Sequence, residues 1–222
     1  SSDLSPLDEV LQRVDMNPNL KGTLRLVYGN AQRLLLLVNQ LMDLRKNQSG
    51  NLQLRVSHND LYLFTQEIYI AFNQIAVKER IIFRLESDES GIDAWFDRVL
   101  LEKVFFNLLS NAFKYTKPGG TIELHVSSDG NEVRIKVIDT GIGLSPDDVS
   151  HIFDRFYQAE NGKQVAGANP GTGLGLALSK NIIYLHHGDI AVQSQVGYGT
   201  IFTVTLLKGK NHFENDKNAI LL

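Results

Sequence analysis

The chain has 222 residues, 43% of them hydrophobic, which suits one large domain or a small domain beside a medium one. Its net charge is -3 and it has no run of lysines or arginines, so we expect no nucleic-acid partner and no membrane contact by this segment. Cysteine is absent, which excludes disulfides and thiolate zinc sites, and the longest aliphatic run, Leu34 to Val38, is too short to span a bilayer. The opening Ser1-Ser2-Asp3 has no initiator methionine, so we expect a cut at this end.

Residues 1–51 are predicted to form a partial helical region. After a short apolar segment at 4–11, Asn17 and Pro18 carry the signals that begin a helix, which we expect to run to about residue 48. Apolar or small residues then recur as a heptad seam, with alternating gaps of four and three: Leu20, Leu24, Val27, Ala31, Leu34, Val38 and Leu41. The stripe is wider than a two-stranded seam, which favours a bundle formed by two copies of the chain; a hairpin within one chain is the alternative.

Residues 52–209 alternate strand and helix signals, and residues 210–222 are expected to form a polar, loose tail. The signals predict an α+β fold in which one mixed or antiparallel sheet carries about three helices on one face. The expected elements are a strand at 52–56, a helix at 61–77, paired strands at 81–85 and 92–96, a helix capped by Asp97, a hairpin of 121–127 with 132–138, a helix at 174–186 and a hairpin of 190–194 with 200–206.

The helix after Asp97 contains the run NLLSNAFKYT, whose polar residues recur at intervals of three and four: Asn107, Asn111, Lys114 and Tyr115. Side chains at these spacings share one face of a helix. Amide oxygens suit a hard cation such as Mg²⁺, and a lysine supplies a point charge for phosphate. A polar helix face without any ligand would explain the same pattern.

The stretch Asp139-Thr-Gly141-Ile-Gly143 directly follows a predicted strand. A carboxylate at the end of a strand can accept a hydrogen bond from an exocyclic amine, and the two glycines let a flat ring approach the backbone. An ordinary turn is the alternative interpretation of this stretch.

The stretch Ile152–Tyr157 combines two phenylalanines with a cation. Phe153 and Phe156 are typical of a core, whereas Arg155 between them has no obvious helical ion-pair partner and could reach a terminal phosphate. The small and polar residues that follow, 159–170, have the composition of a mobile lid over a ligand.

Three glycines, Gly171, Gly173 and Gly175, lead into the helix predicted at 174–186. Glycine-rich backbone at a helix N-terminus offers free N–H groups and the positive end of the dipole to phosphates. The stretch is neither a Rossmann fingerprint, since it opens no βαβ unit, nor a Walker loop, since no Gly-Lys-Thr/Ser follows.

In this order, NLLSNAFKYT, DTGIG, FDRFYQ and GTGLGLAL resemble the N, G1, F and G2 boxes of the sensor histidine kinases of bacterial two-component systems. The resemblance covers about residues 54–207. The preceding RLLLLVNQLMDLRK resembles the second helix of the dimerisation and histidine-phosphotransfer bundle of that family. The GKNHF stretch after the last predicted strand is similar to hybrid kinases in which a receiver domain follows.

The resemblance implies a two-layer α/β sandwich ATP-binding domain of the Bergerat type, preceded by a long helix of a dimeric four-helix bundle. The implied activity is transfer of the γ-phosphoryl group of ATP to a histidine, for relay to an aspartate on a response-regulator receiver domain. The implied cofactors are ATP and Mg²⁺, and the implied partners are that receiver and a second copy of the chain. This part would be cytoplasmic, in a full-length protein anchored in the bacterial inner membrane.

The resemblance also assigns roles to individual residues. Asn111 would hold the metal ion through its amide oxygen, and Asn107 would support the metal ion or the phosphates. Asp139 would accept from the adenine amino group, with room made by Gly141 and Gly143. The residues implied in contacts to the phosphates, ribose or base are Lys114, Tyr115, Gly171, Thr172, Gly173, Leu174 and Gly175. The residues implied in the transfer itself are Asn107, Lys114 and Arg155.

Two departures from related patterns affect these expectations. The wider superfamily includes gyrase, mismatch-repair and chaperone ATPases, which carry a glutamate base where this chain has Asn107; a carboxamide cannot take a proton from water at neutral pH, so efficient hydrolysis is disfavoured. The second departure is that no histidine lies in an acceptor segment of the H-E/D-x-x-x-P type, and Ser5–Glu9 resembles the part downstream of it. The six histidines are His58, His125, His151, His186, His187 and His212.

We therefore expect this chain to bind ATP with Mg²⁺ without phosphorylating itself. The alternatives are a superfamily ATPase that cycles by hydrolysis, and a non-catalytic module that senses nucleotide or signals through its helix. None of the histidines has metal-binding spacing, and the adjacent His186 and His187 are expected to cap a helix end, where a cation favours the dipole.

Overall fold

The computed structural model describes residues 53–160 and 171–222, together with five earlier positions, Leu24, Val27, Ala31, Val38 and Met42. The chain divides into two compact units, Ser1–Arg45 and Lys46–Leu222. In the first unit the five described positions are all α-helical, as the heptad seam predicts. The rest of the seam and the segment at 4–11 lie outside the described residues, and the dimeric bundle stays a prediction. No helix in the described part of the chain has both the length and the apolarity needed to cross a membrane.

The second unit contains eight strands, four α-helices and one short 3-10 helix among its described residues. The strands are β1 (Leu54–Asp60), β2 (Ile82–Ser87), β3 (Asp93–Phe96), β4 (Thr121–Asp129), β5 (Glu132–Asp139), β6 (Asp189–Gln195), β7 (Gly199–Leu207) and β8 (Ala219–Leu221). The α-helices are α1 (Leu61–Glu79), α2 (Arg98–Tyr115), α3 (Pro146–His151) and α4 (Gly175–Leu185), and the 3-10 helix is Asn211–Phe213. The mixture confirms the predicted α+β sandwich.

The strands form two sheets rather than the single sheet expected. The larger sheet has the order β2-β4-β5-β7-β6, with β2 parallel to β4 and all other neighbours antiparallel. The smaller sheet has the order β3-β1-β8. The predicted pairing of β2 with β3 is therefore wrong: β2 pairs with β4, and β3 pairs with β1. The polar stretch Asp88–Gly91 has the composition of a hairpin turn, but it connects strands of different sheets.

Both predicted hairpins, β4–β5 and β6–β7, are confirmed. Their turns contain Gly130 (φ 57°) and Gly197 (φ 82°), in a left-handed conformation that glycine adopts without strain. Alternate residues of β4 and β5 have no exposed surface: Ile122, Leu124, Val126, Val133, Ile135 and Val137. This apolar face provides the layer on which the helices pack.

The two long helices begin at aspartate caps, and the sequence predicts the one at Asp97. The Asp60 carboxylate accepts from the N–H groups of Tyr62 and Leu63, and the Asp97 carboxylate accepts from Leu100 N–H. The other oxygen of Asp97 accepts from Arg55 N–H at 2.8 Å, which ties the start of α2 to β1. Asp97 therefore fixes where the helix that carries the candidate site begins.

The C-terminal tail is packed against the second unit, so the expectation of a loose segment is wrong. The side chain of Phe213 is 1% exposed, and β8 pairs in parallel with β1 through Leu54–Ala219 and Val56–Leu221. A strand of three residues is too short to show a period in sequence, and its partner lies at the opposite end of the unit. The tail thus completes the small sheet.

Candidate functional site

The apolar face of α2 determines which way its polar residues point. Its core residues Leu101, Val104, Phe105, Leu108 and Leu109 have no exposed surface. Asn107, Asn111, Lys114 and Tyr115 are all half-buried beside this core. The amine of Lys114 lies 5.2 Å from the ring centroid of Tyr115, and burial raises the pKa of the Tyr115 hydroxyl. The face predicted from the spacing is therefore formed, with its polar atoms partly withdrawn from water.

The side chain of Asn107 is held between α2 and α4. Its Nδ2 donates to the hydroxyl of Ser179 at 3.0 Å. Its Oδ1 lies against the first residue of α4, since a Cβ placed on Gly175 would be 2.1 Å from that oxygen. Gly175 is thus required by the protein's own packing, in addition to any ligand.

The side chain of Asn111 lies one helical turn beyond Asn107. Within the described ranges its half-buried amide makes no side-chain hydrogen bond. Among these residues no group of three or more histidines, aspartates and glutamates is placed to hold a metal ion. Because an amide oxygen without a protein donor suits a hard cation, the residues present fit Mg²⁺ held by Asn111 and by oxygens of a ligand.

Asp139 is the last residue of β5, and 8% of its surface is exposed. Burial raises its pKa to about 6, although the N–H groups of Gly141 and Thr200 stabilise the charged form. The bond from Gly141 N–H to Oδ1 is 2.8 Å long. A carboxylate with so little solvent is a strong acceptor for an N–H group of a ligand.

The glycines of the loop after Asp139 lie against protein backbone. A Cβ on Gly141 would be 2.7 Å from the carbonyl oxygen of Tyr115, and a Cβ on Gly143 (φ 70°) would be 1.9 Å from the carbonyl oxygen of Gln195. A Cβ on Gly199 (φ 118°), at the β6–β7 turn, would likewise be 1.9 Å from the carbonyl oxygen of Asp139. These contacts hold the loop beside the end of α2 and the β6–β7 turn; the predicted contact to a flat ring stays a prediction.

The segment after α3 is bonded to the glycine loop that leads into α4. Phe156 N–H donates to the carbonyl of Gly173 at 2.8 Å, and the Gln158 amide donates to the carbonyl of Gly171 at 2.7 Å. A Cβ on Gly173 would lie 2.6 Å from the Phe156 carbonyl carbon. Gln158 was missed because a single glutamine in a polar segment gives no pattern.

The prediction of a buried Phe156 is wrong, since its ring is 61% exposed. Its backbone has φ 64°, a strained value for a bulky residue, and is held there by the contact with Gly173. Phe153 is half-buried, with its ring centroid 6.2 Å from that of Phe202. Arg155 is exposed on the same segment.

A tyrosine and an aspartate anchor this segment on its other side. Asp148 closes a capping box with Ser145 at the start of α3, and it accepts from the Tyr157 hydroxyl at 2.9 Å. The bond to Asp148 raises the pKa of Tyr157 to about 12. Arg155 is thereby carried next to three residues, 156–158, that are bonded to the glycine loop and to α3.

The amine of Lys114 lies beside Gly171 of the glycine loop: a Cβ placed on this glycine would be 3.7 Å from Nζ of Lys114. The loop continues through Thr172, whose hydroxyl accepts from Leu174 N–H at 3.2 Å. The N-cap residue of α4, Leu174, makes no capping hydrogen bond with its own side chain. A cation and the positive end of an 11-residue helix therefore lie together, which favours a phosphate. Most of the predicted lid, residues 161–170, lies outside the described residues.

His186 is not the cationic cap that was expected. It is 1% exposed; its Nδ1 lies 2.7 Å from the carbonyl of Ile182, and its Nε2 lies 3.0 Å from Asp97 N–H. The carbonyl requires a donor and the N–H requires an acceptor, so the ring is neutral with its proton on Nδ1. Burial lowers the pKa of His186, which agrees with this neutral form. The neighbouring His187 has its Nε2 atom 2.8 Å from Oδ2 of Asp216.

Comparisons with known proteins agree with the resemblance. The model of the histidine kinase-, DNA gyrase B-, and HSP90-like ATPase family matches residues 96–210. Histidine kinase P4 of Formosa agariphila is 34% identical over 215 residues, which cover 96% of this chain but only 16% of that protein.

Two solved structures have folds similar to that of this chain. The catalytic domain of histidine kinase ThkA is 26% identical with a TM-score of 0.61, over 69% of this chain and 98% of that one. ThkA in complex with the response regulator protein TrrA is 21% identical with a TM-score of 0.70, over 93% of this chain and 57% of that one, which shows the fold alone. The chain therefore belongs to the family of histidine kinase-, DNA gyrase B- and HSP90-like ATPases, and its second unit is an ATP-binding catalytic domain of the sensor histidine kinase kind.

Proposed function

We propose that the site between α2, the Asp139 loop and α4 binds ATP together with Mg²⁺, and that the longer protein transfers the γ-phosphoryl group to a histidine. The observation that carries the proposal is the contact of Lys114 with Gly171 in the loop that leads into α4. This arrangement supplies a cation and backbone N–H groups to the same phosphates. The buried carboxylate of Asp139 supplies an acceptor for the amino group of adenine.

The roles follow from the chemistry of each group. Asn111 would hold Mg²⁺, which would neutralise phosphate charge when bound. Lys114 and the first turn of α4 hold the phosphates. Tyr115 lies beside the ribose or base, and Arg155 assists the transferred group. Gly171, Gly173 and Gly175 let the backbone of the loop follow the triphosphate, with Thr172 and Leu174 between them.

The acceptor is a histidine rather than water, because Asn107 has no basic group with which to activate a water molecule. In the transfer the bond between the γ-phosphorus and the bridging oxygen breaks, a bond from phosphorus to an imidazole nitrogen forms, and ADP leaves. Such a reaction depends on positioning and charge stabilisation, which amides, one lysine and one metal ion can provide. The solved complex of ThkA with a response regulator supports a receiver domain as the next acceptor.

A transfer assay in trans tests this proposal. The chain is mixed with γ-labelled ATP, Mg²⁺ and a separate helical bundle that carries the acceptor histidine of a sensor kinase. We expect label on that bundle, and none when its histidine is changed to glutamine or when this chain carries Asp139→Asn. Nucleotide binding without any transfer to a competent bundle would contradict the kinase function.

A further inference from the structure

Ser179 is a buried residue of α4 whose side chain contacts the candidate site. It lies on the second turn of α4 with 2% of its surface exposed, and its hydroxyl oxygen accepts from Asn107 Nδ2 at 3.0 Å. A serine in the middle of a helix usually faces water or bonds to its own backbone. Here the hydroxyl is turned toward another helix and meets a residue of the site.

The contact holds the Asn107 amide against α4, in an orientation that presents its NH₂ group to Ser179. Because Ser179 takes the NH₂ group, Oδ1 lies on the side of Gly175, one turn nearer the start of α4. Gly175 and Ser179 are four residues apart and share a face of α4, so the two ends of the amide contact successive turns of one helix. An amide that lost the bond to Ser179 could rotate and present its donor where its oxygen now lies.

We propose that Ser179 is the positioning residue for Asn107, and that it fixes the Asn107 carbonyl oxygen at the start of α4 for the metal ion or phosphates. This inference rests on the proposed function, since it assigns a purpose to the orientation of Asn107. It also links the two halves of the site: α2 contributes the amide, and α4 contributes both the phosphate-binding backbone and the group that orients that amide.

The test compares Ser179→Ala with the unchanged chain, by calorimetric titration with a non-hydrolysable ATP analogue at a series of Mg²⁺ concentrations. Loss of one such hydrogen bond lowers affinity about fivefold to tenfold. We expect a loss of this size with Mg²⁺ and the triphosphate, and little change for adenosine, which has no phosphates. Ser179→Thr keeps the hydroxyl and is expected to restore most of the affinity.

A double-mutant cycle with Asn107→Ala separates positioning from general packing. In the Asn107→Ala background, Ser179→Ala is expected to have no further effect on affinity, because there is no amide left to orient. A loss of the same size in both backgrounds would overturn the inference, as would an affinity of Ser179→Ala equal to that of the unchanged chain.

Thr65→Val is the matched control. Thr65 is a fully buried hydroxyl residue on α1 that donates to the carbonyl of Tyr62, away from α4. It is expected to lower stability without changing affinity, and unfolding midpoints measured for every variant show whether each is folded. If the unchanged chain binds no analogue, the proposed function fails; if it binds and the cycle shows no coupling, only the role of Ser179 fails.

Discussion

Asp139 combines a cost to stability with a use in binding. Burial raises its pKa from 3.8 to about 6. The protonated carboxyl therefore contributes stability that is fully present below the ordinary pKa of 3.8 and is lost as the pH rises through about 6, where the buried group ionises. At neutral pH the free domain therefore holds an ionised carboxylate at a cost on the order of 3 kcal/mol. A ligand that donates a hydrogen bond to this group would offset that cost.

Replacing Asp139 with asparagine is expected to stabilise the free domain. The amide is neutral, keeps an oxygen for Gly141 N–H and avoids the buried charge, but it weakens the bond from Thr200 N–H. The free energy of unfolding at pH 7.5 should therefore rise by only about 1 kcal/mol. Denaturant unfolding without nucleotide measures this change. A variant less stable than the unchanged chain at that pH would contradict the account of Asp139, and the difference should shrink below about pH 6 as the native carboxylate is protonated.

A substitution of Asn111 tests the proposed Mg²⁺ site separately from the proposed adenine site. Asn111→Ala removes the proposed ligand oxygen, so the Mg²⁺ concentration needed for half-maximal binding of the ATP analogue should rise about tenfold, the loss of one good ligand interaction. The affinity for adenosine should stay the same. Asn73→Ala, an exposed amide on α1, is the control. If the Mg²⁺ dependence of binding is unchanged in Asn111→Ala, Asn111 is not a ligand of the metal ion.

At the scale of elements, His186 joins the end of α4 to the start of α2. Its Nε2 accepts from the N–H of Asp97, the residue that also caps α2 and binds Arg55 N–H. Protonation would replace this acceptor with a donor and leave a buried N–H group without a partner. The two helices that carry the candidate site therefore depend on a neutral imidazole.

Lowering the pH should decrease the free energy of unfolding by protonating His186. Because its folded pKa lies below the ordinary 6.5, its contribution to stability is complete above about 6.5 and is lost as the pH falls through the range below that value. Protonation of His186 between pH 7.5 and 5 should lower the unfolding free energy by about 1–3 kcal/mol, the cost of a buried unpaired group. Because protonation of Asp139 should raise the unfolding free energy over the same range, the series is measured in the Asp139→Asn background, where His186→Gln should flatten the decline. An equal slope with and without His186→Gln would contradict this role.

Local signals in the sequence determined which elements could be predicted. The Asp97 cap and the hairpins β4–β5 and β6–β7 depend on signals within a few residues, and the structure confirms each of them. The division into two sheets depends on pairs far apart in the chain, such as Leu54 with Ala219, for which no local signal exists. The neutral state of His186 and the contact of Asn107 with Ser179 were likewise missed, because both depend on how α2 and α4 pack.

At the scale of the whole molecule, the candidate site is assembled from three segments that fold packing brings together. The polar face of α2, the loop after β5 and the start of α4 were each identified from sequence, but each pattern alone allowed an interpretation without a ligand. Their meeting at Tyr115 and Gly141, and at Lys114 and Gly171, is what the structure adds. The chain spans 16% of the length of Histidine kinase P4, so activity of the longer protein remains a proposal.

The chain should bind nucleotide without appreciable turnover. With Asn107 where related ATPases have a glutamate, hydrolysis of ATP should be slower than about one per minute, far below the common range of enzymatic turnover. Phosphate release in the presence of Mg²⁺ measures it. A steady rate near one per second that is abolished by Asp139→Asn would favour a hydrolytic function instead.

The central claim is that this unit is a Mg²⁺–ATP site whose base contact is Asp139. The most direct measurement is a calorimetric titration with a non-hydrolysable ATP analogue and Mg²⁺, run on the unchanged chain and on Asp139→Asn under the same conditions. We expect binding of one analogue per chain, and an affinity about tenfold to a hundredfold lower in Asp139→Asn, because a hydrogen bond to a charged group is lost. Absence of binding to the unchanged chain, or equal affinity in the two proteins, would contradict the claim.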